Sequence, residues 1–284
     1  MFKRKIFMTV TTCLMMFLSM LVVDKISAEK ADIKSFTPTE VVHNDSLQEL
    51  HQELVNLGLA KLNQAGQIVI DASVSELNFS SEILNEYLED MKNVNFAVEQ
   101  GGVFFDQNLD IQIGTQEEVT NRVYNKDLVK RAKNSIGNIT PFADPGGLPT
   151  LQAYHVANRN RTLFSQYFNS VLEASKYAGN PSSTAISAST GWFVAKVKPR
   201  GDWDYKVVAG YSPYSKQWNA QTKNSTTVRT TEWFGNYNYG LAGSYLFGIN
   251  ELIAGGHIAS LATSLRLDGA DDRAAVTLGF NDSK

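Results

Sequence analysis

Between residues 46 and 62 the apolar positions Leu47, Leu50, Leu54, Leu57 and Leu59 recur near helical spacing, which predicts an amphipathic helix. After the Ala65-Gly66 break, Ile68-Val69-Ile70 reads as a short strand. Ile83, Leu84, Tyr87, Leu88 and Met91 mark one face of a second helix. Gly101-Gly102 ends that pattern, and residues 103–105 and 109–113 read as two strands joined by Asp106-Gln107-Asn108. Thr115 and Glu118 stand at capping-box spacing, so that each side chain satisfies a backbone amide at the start of a helix running toward Ser135.

Pro141, Pro145-Gly146-Gly147 and Pro149 interrupt the periodicity and place a linker at residues 141–150. Beyond it, residues 151–177 read as one or two helices with Leu163, Tyr167, Phe168, Val171 and Leu172 on a common face. Gly179-Asn180-Pro181 and a Ser/Thr-rich stretch end them. Trp192-Phe193-Val194-Ala195-Lys196-Val197 predicts a further helix stopped by Pro199, and residues 240–264 predict a helix pair. The expected fold class is therefore α+β: a small α+β region over residues 29–140, the linker, and a mostly helical domain over residues 151–284.

The start of the chain stands apart from this scheme. A basic trio, Lys3-Arg4-Lys5, precedes an apolar run from Ile6 to Val23, and Ile26-Ser27-Ala28 offers a small residue for cleavage. This is the layout of a secretory signal peptide over residues 1–28, which predicts a secreted, extracellular product. Retention as a membrane anchor through residues 6–23 is the alternative, because the run is just long enough to span a bilayer. The lone Cys13 lies inside the run, so the cleaved chain has no thiol for a nucleophile, a Cys-based zinc site or a disulfide.

The 284 residues are 43% hydrophobic and 19% charged, enough apolar material for one or two packed cores. The net charge is −3, and removal of residues 1–28, with four basic residues and one acidic, leaves 22 basic against 28 acidic, or −6. Such a balance predicts no stable nucleic-acid binding by the surface as a whole, while leaving room for a local basic patch. Membrane contact is expected only through the signal segment.

From Gly191 onward glycine and aromatic residues become dense in three clusters. The first is Trp192-Phe193 and Lys196-Val197 leading into Gly201-Asp202-Trp203-Asp204-Tyr205-Lys206. The second is Glu232-Trp233-Phe234-Gly235-Asn236-Tyr237-Asn238-Tyr239-Gly240, and the third is Ala270-Asp271-Asp272-Arg273-Ala274-Ala275 with Gly279-Phe280. In this order they resemble the polymorphic toxin type 44 domain of bacterial toxins, over roughly residues 190–280. The resemblance implies an antibacterial toxin used in interbacterial competition, with a cognate immunity protein as partner. A plain export signal and a short leader stand here in place of a large delivery module.

The resemblance supplies no reaction, so the residues carry the chemistry. Asp204, between Trp203 and Tyr205, has two readings: a desolvated acid/base carboxylate, or the cap of the turn after Gly201. Glu232 is the second candidate carboxylate. Together the two would be the minimum set for cutting a glycosidic bond. Lys206 either assists, by pairing with Asp204 or by stabilising an anionic transition state, or is a solvated lysine. His257, after Gly255-Gly256, is a candidate general base or a structural histidine, and His155 is weaker.

Asn236, Asn238 and Tyr239 are candidate substrate-binding groups together with Trp203 and Tyr205, and Gly235 and Gly240 would allow close backbone approach. A tight helix-packing segment is the competing reading. Gly240, Gly243 and Gly248 lack the ending of a phosphate loop. Asp271 and Asp272 cap the final helix or, with Asp268, hold a cation, although their spacing fits no calcium loop. No cofactor and no metal are expected.

Export makes cell-wall glycan the nearest abundant target and favours a hydrolase of that glycan. Two other readings stand beside it: an RNase or nuclease toxin acting in a target cytoplasm through Lys206, His257 and the carboxylates, and a non-enzymatic glycan- or wall-binding protein using Trp203, Tyr205, Trp233, Tyr237 and Tyr239. Pore formation through residues 241–265 is a third.

Overall fold

The structure, a computed structural model, describes residues 38–71, 79–134, 147–180, 182–264 and 269–284. The signal segment, most of the linker and Asp268 lie outside the described residues. Eight helices and seven short strands are found among them. In chain order these are α1 (Pro38–Asn56), β1 (Ala60–Leu62), β2 (Ile68–Ile70), α2 (Ser81–Glu99), β3 (Val103–Phe105), β4 (Ile111–Ile113) and α3 (Gln116–Asn134). There follow β5 (Thr150–Leu151), α4 (Ala153–Tyr177), α5 (Ser182–Val197), β6 (Gln217–Gln221), β7 (Thr226–Thr230), α6 (Thr231–Gly243), α7 (Ile249–Ser264) and α8 (Ala270–Asp282). The fold is α+β and mostly helical, with small sheets.

The chain divides into two compact units that do not follow chain order. One gathers the described residues of 23–122 with 166–191, and the other those of 123–165 with 192–284. In the first unit, β1 pairs antiparallel with β2 and β3 with β4. Leu47, Leu50 and Leu54 of α1 and Tyr87, Met91, Val94 and Ala97 of α2 are buried, which bears out both apolar stripes. The Leu57–Leu62 part of the first expected helix differs: α1 stops at Asn56, Gly58 takes φ 69°, and residues 60–62 become a strand. A glycine in the left-handed region ends a helix at no steric cost, and the orphaned chain pairs with Ile68–Ile70 instead.

The capping box is present: the Thr115 N–H donates to Glu118 Oε2 at 2.8 Å and the Glu118 N–H to Thr115 Oγ1 at 3.3 Å. The Thr115 N–H above all, and then the Thr115 hydroxyl, hold Glu118 below the ordinary carboxylate range.

A single helix, α4, follows the short strand β5, and its buried line is Ala153, Ala157, Phe164, Tyr167, Val171 and Ala174. Leu163, Phe168 and Leu172 flank that line, half-buried. The Ser/Thr-rich stretch expected, with Gly179-Asn180-Pro181, to end the helix is the first part of α5. Its small side chains let it lie deep: Ala185, Ala188, Ser189 and Thr190 are all buried.

In the second unit, Phe164 stacks on Trp192 and Phe193 with ring centres 5.7 and 5.0 Å apart, and Trp203 meets Trp192 edge-on at 5.3 Å. A three-stranded sheet, which the apolar pattern does not reveal, has the order β5-β6-β7, with β5 parallel to β6 and β6 antiparallel to β7. The edge strand β7 runs directly into α6, and the Thr230 hydroxyl accepts the Trp233 N–H at 3.2 Å as the N-cap. Thr231 locks the corner: its hydroxyl accepts from Trp218 Nε1 at 2.8 Å and donates to the Tyr211 carbonyl at 2.7 Å.

Candidate functional site

The strongest concentration of charge in the second unit forms where α3, the end of α5 and the loop after it meet. Asp127, Lys130 and Arg131 lie three and four residues apart and therefore share one face of α3. Lys196 stands in the last turn of α5. Pro199 prevents that helix from continuing, and the chain folds back so that the Trp203 N–H donates to the Lys196 carbonyl at 2.8 Å. Gly201 is required at this return: a side-chain carbon there would lie 2.8 Å from the Lys196 carbonyl carbon and closer still to the carbonyl oxygens of Ala195 and Lys196.

The return brings Asp202 to the lysine. Lys196 Nζ contacts Asp127 at 2.8 and 3.1 Å and Asp202 at 3.2 Å. Lys130 and Arg131 stand 3.9 Å from Asp202, and Arg131 also donates to the Gly201 carbonyl. Asp127 and Lys196 are nearly sealed, at 3% and 6% exposure, whereas the Asp202 side chain retains 22%. One carboxylate is inside and the other faces solvent.

Their environments drive the two acids apart. Burial pushes Asp127 up despite the pull of Lys196. Burial would also raise Asp202, but Lys196 and Lys130 outweigh it and hold that carboxyl below the ordinary range. Nearby, burial lowers the Lys198 ammonium to about 8. It sits 3.5 Å over the Tyr124 ring, whose face favours the charged form. The corner thus offers an ionised carboxylate at the solvent edge with fixed cations beside it, and the residue that follows α5, Lys198, is able to exchange a proton near neutrality.

Asp204 lies elsewhere. It is 8% exposed, and its Oδ2 accepts the Arg200 N–H at 2.8 Å. Arg200 has φ 69°, a conformation that L residues adopt at a cost, so the carboxylate stabilises a strained turn. Of its two readings, this geometry is the turn cap. Glu232 is exposed in the first turn of α6, and no hydrogen bond joins it to Asp204 among the described residues. Lys206 is exposed as well, with no ion pair among the described residues. His257 is half-buried on α7, its Nδ1 buried without a hydrogen bond among the described residues, and His155 is exposed, with Tyr154 edge-on at 5.8 Å.

Most of the other expected site residues serve packing. Trp203 is buried against Trp192 and Phe193. Asn160 on α4 donates through Nδ2 to the Tyr205 hydroxyl and to Asn238 Oδ1, both at 2.7 Å, which ties the first cluster to the second. Burial holds the Tyr205 hydroxyl protonated, well above its ordinary value. Tyr239 donates to the Leu252 carbonyl at 3.1 Å and stacks on Phe193.

Asn236 Nδ2 donates to Asp272 Oδ1 at 2.7 Å, which ties the second cluster to the third. Asp272, rather than Asp271, accepts the Gly269 amide, at 3.2 Å, and so caps α8. Gly240 and Gly279 set the close crossing of α6 on α8, whereas a side chain at Gly235 would meet nothing within 4 Å. Close approach is therefore needed at Gly240 and not at Gly235. No group of three metal-binding side chains occurs among the described residues. No helix among them is long and apolar enough to cross a membrane, and residues 244–248 interrupt the apolar stretch between α6 and α7.

Sequence reasoning passed over Asp127, Lys130, Arg131, Lys198 and Asn160. Lys196 and Asp202 stood inside a quoted cluster, yet the aromatic flanks drew the assignment to Asp204. Asp127 is 69 residues away from Lys196 and carried no local signal.

A direct check of the Asp204 assignment is available. Asp204→Ala should lower stability by about 1.5–3 kcal/mol, the net worth of a hydrogen bond to a charged group. Adding Arg200→Gly should recover part of the loss, because glycine adopts the left-handed turn freely. Unchanged thermal unfolding of the single variant would show that the carboxylate does not hold the turn.

Comparison of the chain with protein-family models, with curated proteins and with solved structures finds no match.

Proposed function

We propose that this protein is an exported toxin of the polymorphic toxin type 44 kind, and that the unit holding residues 123–165 and 192–284 cleaves RNA phosphodiester bonds inside a target cell. The observation that carries the reading is the solvent-edge carboxylate Asp202, kept ionised among Lys196, Lys130 and Arg131. The segments that build this corner, residues 123–134 and 196–206, contain eight lysines and arginines against three aspartates, in a chain of net charge −3. A polyanion is attracted to such a patch although the whole surface repels it.

The chemistry follows from position. Asp202 accepts the proton of a ribose 2′-hydroxyl as that oxygen bonds to the adjacent phosphorus. Lys130 and Arg131 stabilise the charge growing on the non-bridging oxygens. The bond to the 5′-oxygen breaks, and the Lys198 ammonium supplies the proton that this leaving oxygen takes up. Glycan cleavage is less well supported, because it needs two carboxylates roughly 5–9.5 Å apart with a sugar between them. Asp127 and Asp202 instead share one ammonium, while Asp204 caps the turn at Arg200 and Glu232 stands exposed on α6. A cognate immunity protein belongs to the same proposal, and this corner is the surface it would have to cover.

The test is RNA cleavage by the purified full chain. Asp202→Asn should slow it at least about 100-fold, the scale of a lost general base. The rate of the unsubstituted protein should fall as pH rises through about 8, where Lys198 loses its proton. Lys198→Arg should remove that fall below pH about 10, since the guanidinium stays charged. Intact RNA together with solubilised peptidoglycan would reject this reading in favour of wall hydrolysis.

A further inference from the structure

A groove of about 380 Å³ lies in the second unit along the start of β6, β7, the start of α6 and one face of α8 from Asp271 to Leu278. Its volume is in the range of small-ligand sites. The polar wall is made by Arg229, Asp271 and Gln217, and the apolar wall by Trp233, Val228 and Leu278. Among the described residues, no ion pair or side-chain hydrogen bond engages the Arg229 guanidinium, the Asp271 carboxylate or the Gln217 amide. The guanidinium rests 5.2 Å from the centre of the Trp233 ring, which in turn stacks on Tyr237 at 5.1 Å. Tyr237 is itself anchored, its hydroxyl donating to Asp282 at 2.7 Å.

We propose that this groove is a saccharide-binding site. With Tyr237 stacked on the indole and Arg229 over it, the edge of the Trp233 ring, together with Val228 and Leu278, gives the apolar wall against which the C–H face of a pyranose ring lies. Around it a carboxylate accepts, a guanidinium donates, and an amide does both, so the complementary ligand presents donors and acceptors side by side. Vicinal hydroxyls do so. A simple anion meets Asp271 and the adjacent Asp272, and a simple cation meets Arg229, so neither sign of charge alone is matched. The site is separate from the Asp202 corner and does not depend on the reaction assigned there. It would hold an exported protein at a glycan-coated surface.

Fluorescence reads the groove directly. Of the four tryptophans, Trp192, Trp203 and Trp218 are buried, so Trp233 is the one positioned to respond to a ligand from solvent. The full chain would be titrated with chitotetraose, cellotetraose and maltotetraose. We expect a saturable change with at least one of them, weakened tenfold or more by Asp271→Asn and by Arg229→Gln, both exposed positions whose change leaves the core intact. RNA cleavage should persist in both variants. No saturable change with any of the three sugars, equal affinity in the two variants, or displacement of the sugar by an RNA oligonucleotide would each overturn the proposal.

Discussion

Replacing Lys196 with alanine is expected to destabilise the protein by about 3–5 kcal/mol, the usual consequence of stranding a buried charge. The ammonium is the common partner of Asp127 and Asp202, and Asp127 is almost completely enclosed. Without it two carboxylates face each other with only Lys130 and Arg131 nearby, each 3.9 Å from Asp202. Urea unfolding measures the loss. Lys196→Met combined with Asp127→Leu should restore most of it, since a buried pair exchanged for apolar groups of similar size is often neutral.

The pH dependence has a sign for each acid. Asp202 is lowered in the folded state, so its contribution is present above its unfolded value and disappears as pH falls through the folded one. Asp127 is raised, so its contribution is complete in acid and is lost as pH rises through its folded value. A Lys196→Ala variant as stable as the parent would mean that the cluster contributes nothing to the fold.

The second large effect concerns the glycines of the last two motif clusters. A side-chain carbon at Gly240 would lie 2.8 Å from the Val276 carbonyl carbon, and one at Gly279 would lie 2.9 Å from that of Tyr237, with the oxygens nearer still in both cases. Backbone on both sides of the crossing leaves no flexible side chain to yield. Gly240→Ala and Gly279→Ala should each cost about 3 kcal/mol and lower the melting temperature by roughly 10 °C. Gly235→Ala, one turn earlier on α6 with open space around it, should be stabilising by about 0.5–1 kcal/mol, because alanine loses less backbone entropy than glycine in a helix. Equal melting temperatures for all three variants would disprove the close crossing.

Periodicity made the helical parts of this fold legible. The Leu47, Leu50 and Leu54 stripe, the Tyr87 and Met91 stripe and the Thr115–Glu118 cap all depend on neighbours within one or two turns, and all are present. The β6–β7 hairpin was hidden because β7, reading Thr-Thr-Val-Arg-Thr, is an exposed edge strand without alternating apolar positions. The candidate site was partly visible. Lys196, Asp202, Trp233 and Asp271 stood in the quoted clusters, but their flanking aromatics gave no hint of which side chains were spent on packing and which were left for chemistry.

Local sequence by itself determined the α+β, mostly helical character, the caps, the turn at Pro199 and Gly201, and the aromatic and glycine clusters as places where chain segments crowd together. These follow from steric and hydrogen-bonding rules acting over a few residues. Only the tertiary structure decided that Asp204 holds a strained turn, that Asn160 joins Tyr205 to Asn238, and that Asp127 meets Lys196 and Asp202 across 69 residues. Charge, burial and proton affinity are set by what lies within a few ångströms in space, and distance along the chain does not encode that proximity.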